Sequence, residues 1–430
     1  MPIPPDRVRK AIFDQKSMVE RLFSSLASGS QGNPGIMRDT YGPGENFAHD
    51  VLRQHARERG LRIDVDAAAN TLVTWAGTDP AARRVIMGSH LDSVPHGGNF
   101  DGAAGVLAGL CVQSALATLG FRPHCDVAVI GIRAEESVWF QISYIGSRSA
   151  LGTLPDGALE ACRVDTGQGL AAHMAECGGD PDAIRRRVRS LDPGGIRAFI
   201  EVHIEQAPAL VESGLPVAIC SGIPGNVRYP FAGITGRHDH VGTPRRFRRD
   251  AAMAAADLAM AMDRIWQNHE DAGIPVAITF GRFHTDPSAH GLTIVPGRFD
   301  FSLDMRAYDP AVLAGLETQL LAEVAEVERR RGVTVDLGRR VGAQVGMVEP
   351  SIAADLAGYA KALSIPTMSL GSPASHDAAA FAEAGVPMAM LLVRNEHGSH
   401  NPSEYMAIDD FLEACTLMAC WVADHAGAPP

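Results

Sequence analysis

His90 stands at the end of an apolar run, 85–87, and Asp101 lies across a glycine-rich loop at the expected start of a helix, so an imidazole and a carboxylate can converge. Two residues after His90, on the same face of an extended segment, Asp92 can hydrogen-bond the second ring nitrogen and fix its tautomer. A second apolar run, 127–132, ends in Arg133-Ala134-Glu135-Glu136, where adjacent carboxylates repel unless a cation or a proton sits between them. If Glu136 ligates a metal, Glu135 is left as the general base that takes a proton from metal-bound water. In 199–206, strand alternation puts Glu201, His203 and Glu205 on one face, and His400 follows the apolar run 388–393. Four strand ends therefore carry ligand types. His90, Asp101, Glu136, His203 and His400, with Asp92 behind, form a nitrogen and oxygen set suited to two zinc ions or to manganese, with no thiolate. Hydrolysis is the natural chemistry of such a set. Singly, the same motifs fit a polar loop around a buried histidine or a solvated pair of glutamates.

The elements that must position these residues follow from periodicity. At 430 residues the chain exceeds what one core usually serves, and two domains are expected. Helical spacing covers 7–27, 46–59 and 103–119, while 61–75, 84–87 and 126–132 read as strands. Strand, helix, strand is a βαβ unit, which favours a parallel or mixed sheet with active residues where strands end. From 215 to 341 the pattern changes to strand, helix (249–269), strand (275–283), strand (298–307), helix (311–330), strand (333–341). That order is a βαββαβ split. The chain returns near Pro350 with a helix, 352–363, and a strand, 367–370. The expected fold class is α/β: a mixed central sheet with flanking helices over 1–214 and 342–430, and an inserted ferredoxin-like α+β module over 215–341.

The net charge of −12 offers no basic face for nucleic acid or for an acidic lipid surface. No stretch is long and apolar enough to span a bilayer, and the charged start of the chain lacks the apolar core of a signal peptide. Seven scattered cysteines without C-x-x-C spacing suggest reduced thiols, so a cytoplasmic location is expected. Residues 425–430 read as a frayed end.

Eight short motifs now stand in order: Gly88-Ser89-His90-Leu91-Asp92-Ser93, Asn99-Phe100-Asp101-Gly102, Glu135-Glu136, His203-Ile204-Glu205-Gln206, His240-Val241-Gly242-Thr243, Asp304-Met305-Arg306, Ser375-His376-Asp377-Ala378 and Ser399-His400-Asn401-Pro402. Through them nearly the whole chain resembles the family of dinuclear metal amidohydrolases containing N-carbamoyl-L-amino-acid hydrolases, allantoate amidohydrolases and β-ureidopropionases. The resemblance implies that His90, Asp101 and His203 hold one ion and Asp101, Glu136 and His400 the other, with Asp101 bridging and Glu135 as base. It implies that the inserted module is a lid and dimerisation domain of a homodimer. It assigns His240 to the scissile carbonyl and its oxyanion, acting in the neighbouring subunit's cleft. Arg306 would grip a substrate carboxylate with its planar fork, Gln206 would add an amide contact, and Thr293, Ser375 and His376 would complete the substrate pocket. Without the resemblance, His240 reads as a surface-loop histidine and Arg306 as half of a structural salt bridge.

Four departures from the usual family pattern bear on substrate: Ala207 replaces a glycine, Thr243 stands alone before Pro244, Thr293 replaces an asparagine, and Trp139 stands where an arginine is common. Two arginine clusters, Arg185 to Arg189 and Arg245 to Arg249, read as solvated faces, although the second lies near the expected anion pocket and keeps a functional option. The expected activity is hydrolysis of a linear carbon–nitrogen bond in a small ureido or amido acid, an N-carbamoyl amino acid or a relative such as allantoate, by metal-bound hydroxide. Two divalent ions are expected, zinc or manganese, with cobalt or nickel able to serve in vitro. The rivals are a dimetal aminopeptidase, dipeptidase or deacylase, and an amidase for a less common amide. A non-catalytic binding protein is a third, which the intact Glu135 and ligand set argue against.

Overall fold

The computed structural model describes residues 3–427, and the chain divides into two compact units, one containing 1–223 with 347–430 and the other 224–346. An eight-stranded mixed sheet organises the first unit, in the order Arg62–Val65, Thr71–Trp75, Val127–Ile132, Arg84–His90, Ile196–Ile204, Met388–Val393, Val217–Cys220, Thr367–Leu370. Its four middle strands, from Val127–Ile132 to Met388–Val393, are mutually parallel. Parallel strands are covered on both faces, and Val127–Ile132 and Met388–Val393 are accordingly apolar and buried at every position. The α/β class with flanking helices is as expected.

Helix Ala103–Thr118 is buried at fourteen of its sixteen residues, and its small side chains let it lie directly on the strand Arg84–His90. Ile408–His425 packs beside it with twelve buried residues, among them Phe411, Leu412, Leu417 and Met418. Burial of each such large side chain contributes about 1.5–3 kcal/mol. The sequence gives no expectation of a helix there. The frayed end expected from His425 onward is not found at that residue, which closes the helix with its imidazole 3.0 Å from Asp355; residues 428–430 lie outside the described ones.

Other differences have local causes. The single helix expected over 7–27 is two, Pro5–Phe13 and Lys16–Gly29, because the first turns Val8, Ala11 and Ile12 onto Ile408–His425 while the second also packs on Pro43–Glu58. The strand expected over 61–75 is a hairpin: Asp66 accepts the amides of Ala68 and Asn70 and turns the chain. Val217–Cys220, assigned from sequence to the insert, is a fully buried apolar run that pairs with Met388–Val393 and Thr367–Leu370, so the chain leaves the first unit at Ile223.

The second unit holds an antiparallel sheet in the order Thr334–Asp336, Gly225–Thr235, Arg298–Ala307, Val276–Thr285. Arg298–Ala307 alternates half-buried and buried residues along its whole length. Its inner residues Phe299, Phe301, Leu303 and Met305 lie in one core with the inner faces of helices Ala251–Asp271 and Pro310–Arg331. The expected βαββαβ order is present. The strand expected over 333–341 is split in two, Thr334–Asp336 and Val341–Ala343, with Gly338 at φ +68° between them. Among the described residues, no helix is long and apolar enough to cross a membrane.

Candidate metal centre

Because the four middle strands run the same way, their carboxyl ends share one edge of the sheet, and each delivers a ligand type there. His90 closes Arg84–His90, His203 is next to last in Ile196–Ile204, Glu135 and Glu136 follow Val127–Ile132, and His400 follows Met388–Val393. Asp101 enters from the loop before Ala103–Thr118. One oxygen of Asp101 lies 3.2 Å from His203 Nε2 and 3.6 Å from His90 Nε2; the other lies 3.2 Å from His400 Nε2, which is 3.4 Å from Glu136. Two donor triads therefore share one carboxylate. In each triad the ligand atoms lie within 4.8 Å of one another. Asp101 Oδ1 and His203 Nε2 are buried without a hydrogen-bond partner among the described residues, which a cation between them would satisfy.

The ring nitrogens are sorted by what lies behind them. His203 Nδ1 is 3.0 Å from the Ile204 carbonyl oxygen, and His90 Nδ1 is 3.1 Å from the Asp92 carbonyl oxygen and 3.3 Å from its carboxylate. Each Nδ1 is thereby a donor, and each Nε2 keeps its lone pair for the centre. Asp92 also accepts the amides of Glu135 and Glu136 and the Thr40 hydroxyl, at 3.1, 3.2 and 2.5 Å. It thus positions His90 and the glutamate pair together. Gly102, at φ +65°, is a close approach that only glycine permits: a Cβ there would sit 2.4 Å from the His90 ring.

The pair itself is set by a buried ion pair. Ala134 adopts φ +59°, its amide held at 3.0 Å by Glu45, whose other oxygen takes the Arg133 guanidinium at 2.8 Å. That turn swings Glu135 and Glu136 out of the strand line. Burial, with Asp101 beside it, pushes the Glu136 carboxyl up to about 7. Burial also pushes Glu135 well above the usual carboxyl range, helped by Glu136 and Asp377, and no described residue hydrogen-bonds its carboxyl. Asp101 goes the other way: against its burial, His203, His400 and His90 hold it well below that range. A site with this many buried carboxyls calls for positive charge.

Glu404 links the two loops that carry Asp101 and His400. Its carboxylate accepts the amides of Phe100 and Asp101 at 2.8 and 3.2 Å and the Ser399 hydroxyl at 3.0 Å, while the same hydroxyl lies 2.8 Å from Asp101 Oδ2. The sequence reading missed Glu404, although S-H-N-P-x-E places it four residues after His400. Glu404→Ala strands two amides, each costing about 1–3 kcal/mol, and loosens metal affinity by about 10- to 100-fold. Melting curves and metal content after dialysis check this; a variant that melts and retains metal like the wild type removes the clamp from the account.

The remaining candidates distribute as follows. Gln206 donates to Asp101 Oδ2 at 2.9 Å and lies 3.3 Å from His400 Nε2, so it belongs to the centre. His376 packs its ring 4.3 Å from that of His203, with Nε2 2.6 Å from Ser372, and burial keeps it neutral; Ser375 is half-buried just before it. His240, Thr293 and Arg306 lie on the second unit. His240 is exposed on a two-residue strand paired with Ile294–Val295, and the Gly242 amide donates to its Nδ1 at 3.1 Å, leaving Nε2 as the protonated nitrogen. Thr293 is exposed, its carbonyl accepting the Val241 amide at 2.9 Å. Arg306 donates from Nε and Nη2 to Asp304, at 3.0 and 3.3 Å.

A model for the peptidase family M20/M25/M40 matches residues 86–424. The chain belongs to that family. It is 35% identical over 402 residues to the N-carbamoyl-L-amino acid amidohydrolase of Geobacillus stearothermophilus, covering 91% of this chain and 94% of the relative. It is 28% identical to the allantoate amidohydrolase of Escherichia coli K12, covering 94% and 96%. A hydantoinase/carbamoylase family amidase from Burkholderia ambifaria superposes with a TM-score of 0.79 at 28% identity, covering 96% of this chain and 98% of that one. The resemblance read from the motifs is borne out. As an M20 family member with these histidine and carboxylate groups, the protein uses divalent metal.

Trp139 is 5% exposed, donates from Nε1 to the Ser93 carbonyl at 2.9 Å and carries the Arg163 guanidinium 4.5 Å above its ring. It braces the loop behind Asp92 from within an apolar cluster.

Proposed function

We propose that this M20 family member hydrolyses a linear carbon–nitrogen bond in a small ureido or amido acid, an N-carbamoyl amino acid or a related compound such as allantoate. The observation that carries the reading is the sharing of Asp101 between two donor triads, His90 with His203 and Glu136 with His400. The names of its relatives point the same way. The nitrogen and oxygen donors suit two zinc or manganese ions. When bound, such ions act as Lewis acids that acidify a water and draw charge from a scissile carbonyl.

The chain's own groups do the rest. Asp101 holds both positions at once, and Asp92 keeps His90 and the glutamate pair in register. Glu135, buried and without a hydrogen-bond donor among the described residues, takes the proton of the attacking water and passes it to the leaving nitrogen. His240 presents Nε2–H to the oxyanion, and Arg306 with Gln206 orients the substrate carboxylate and amide. Loss of a carbamoyl group with one water yields the amine, carbon dioxide and ammonia. The inserted unit serves as lid and dimerisation domain, with His240 reaching the neighbouring subunit.

Ammonia release from a panel of N-carbamoyl amino acids, N-carbamoyl-β-alanine, allantoate and simple amides tests the reading, with dipeptides and N-acyl amino acids beside them. Metal-dependent ammonia from a ureido acid is expected; cleavage of the dipeptides or acyl acids alone would replace the reading with a peptidase or deacylase. His240→Asn is expected to lower kcat by about 10²- to 10³-fold with metal content unchanged. Mixing that variant with an inactive Glu135→Gln chain should restore turnover through hybrid dimers. A 45.6 kDa monomer in sedimentation, or no restoration, rejects the action in trans.

A further inference from the structure

The second unit carries a groove of about 1540 Å³ whose walls hold eight arginines and two aspartates, in a chain whose net charge is −12. One wall is Arg245, Arg246, Arg248 and Arg249; the other is the last turn of Pro310–Arg331, with Arg329, Arg330 and Arg331. Three arginines complement the negative end of that helix, which accounts for them without a ligand. The first wall has no such explanation. Arg330 and Arg331 already share Asp257, and Asp250 caps its own helix by accepting the Met253 amide at 3.1 Å. Arg245, Arg246 and Arg249 form no ion pair with any described residue. Their guanidinium groups are exposed and carry no carboxylate partner among the described residues, so they are free to pair with an anion that enters the groove.

Two further features narrow the ligand. Phe247, on the same wall, is 54% exposed, and the Arg246 guanidinium carbon lies 4.6 Å from its ring centroid, so a flat apolar surface adjoins the cations. Arg248 donates from Nε to the Thr243 carbonyl at 2.6 Å and from Nη2 to the Val241 carbonyl. The groove wall is thereby tied to the loop that carries His240. We propose that this groove binds an oligophosphate attached to an aromatic ring, of the nucleoside diphosphate class, and that occupancy steadies the His240 loop through Arg248. Guanidinium forks match phosphate oxygens, two linked phosphates span neighbouring arginines, and the exposed ring stacks the base. The proposal is drawn from residues of the second unit alone and stands whether or not the ureido-acid reading holds.

The test is calorimetric titration of the metal-loaded protein with ADP, and separately with pyrophosphate and orthophosphate, at constant ionic strength. One ADP per chain is expected, with orthophosphate at least tenfold weaker. Both Arg245 and Arg246 are exposed, so Arg245→Gln with Arg246→Gln should fold normally and weaken ADP at least tenfold. Phe247→Ala should weaken ADP several-fold and leave pyrophosphate unchanged. Hydrogen exchange of residues 239–248 should slow on ADP binding. Equal affinity in the double variant would place the ligand elsewhere, including on the metal ions, and overturn the site. No binding at all would do the same. A double variant that alters sedimentation without altering ADP binding would show the groove to be a protein contact, and unchanged exchange in the His240 loop would remove the coupling.

Discussion

Glu135→Gln is expected to reduce kcat by about 10²- to 10⁴-fold while metal content stays at the wild-type level. Glutamine keeps the size of the side chain and the backbone amide that rests on Asp92, so neither the Ala134 turn nor the proposed ligand Glu136 is disturbed. What disappears is the carboxylate that no described residue hydrogen-bonds. The folded state gains by the change: a carboxyl pushed well above its ordinary value by burial opposes folding once ionised, and glutamine removes that opposition. An inactive protein that melts no lower than wild type is the expected pairing. Metal analysis, single-turnover kinetics and melting curves read it, and retention of more than about a tenth of the activity would reject Glu135 as the base.

Asp101→Asn should be the most damaging single change at the centre. Asparagine offers one neutral oxygen where two charged ones now face His90 with His203 and His400 with Glu136. Both triads lose their common member, so metal content should fall below one ion per chain and turnover to background. The same logic gives the metal-free wild type a characteristic pH dependence. Glu136 and Glu404 both titrate near 7 when folded, against 4.5 ordinarily, so the folded state binds protons more tightly than the unfolded one in that interval. Stability of the stripped protein therefore falls as pH rises from 4.5 to about 7, and restoring metal should flatten the slope. Denaturation midpoints across that range, with and without metal, check the sign; a stripped protein that gains stability over the interval contradicts it.

What the sequence disclosed was chiefly what is local. His90, Glu135, Glu136, His203 and His400 were legible because each sits at or just past a buried apolar strand, and parallel strands bring such ends together whatever the loops do. The alternation of Arg298–Ala307 and the order of elements in 224–346 were legible for the same reason. The groups that fix the site were less visible. Glu45, Thr40 and Glu404 act on residues far from them in sequence, from helix and loop positions with no periodic signature. Helix Ile408–His425 is apolar on most sides, so its period is faint and the reading passed over it. The hairpin at Asp66 depended on a side chain capping its own turn, which strand periodicity does not register.

The central claim, two divalent ions sharing Asp101 as the working centre, is tested most directly by adding zinc or manganese stepwise to stripped enzyme. Bound metal and ammonia release from a ureido acid are then followed together. Turnover should rise until two ions are bound per chain, and Asp101→Asn should neither bind the pair nor turn over. Full activity with less than one bound ion, or in the presence of excess chelator, would contradict it.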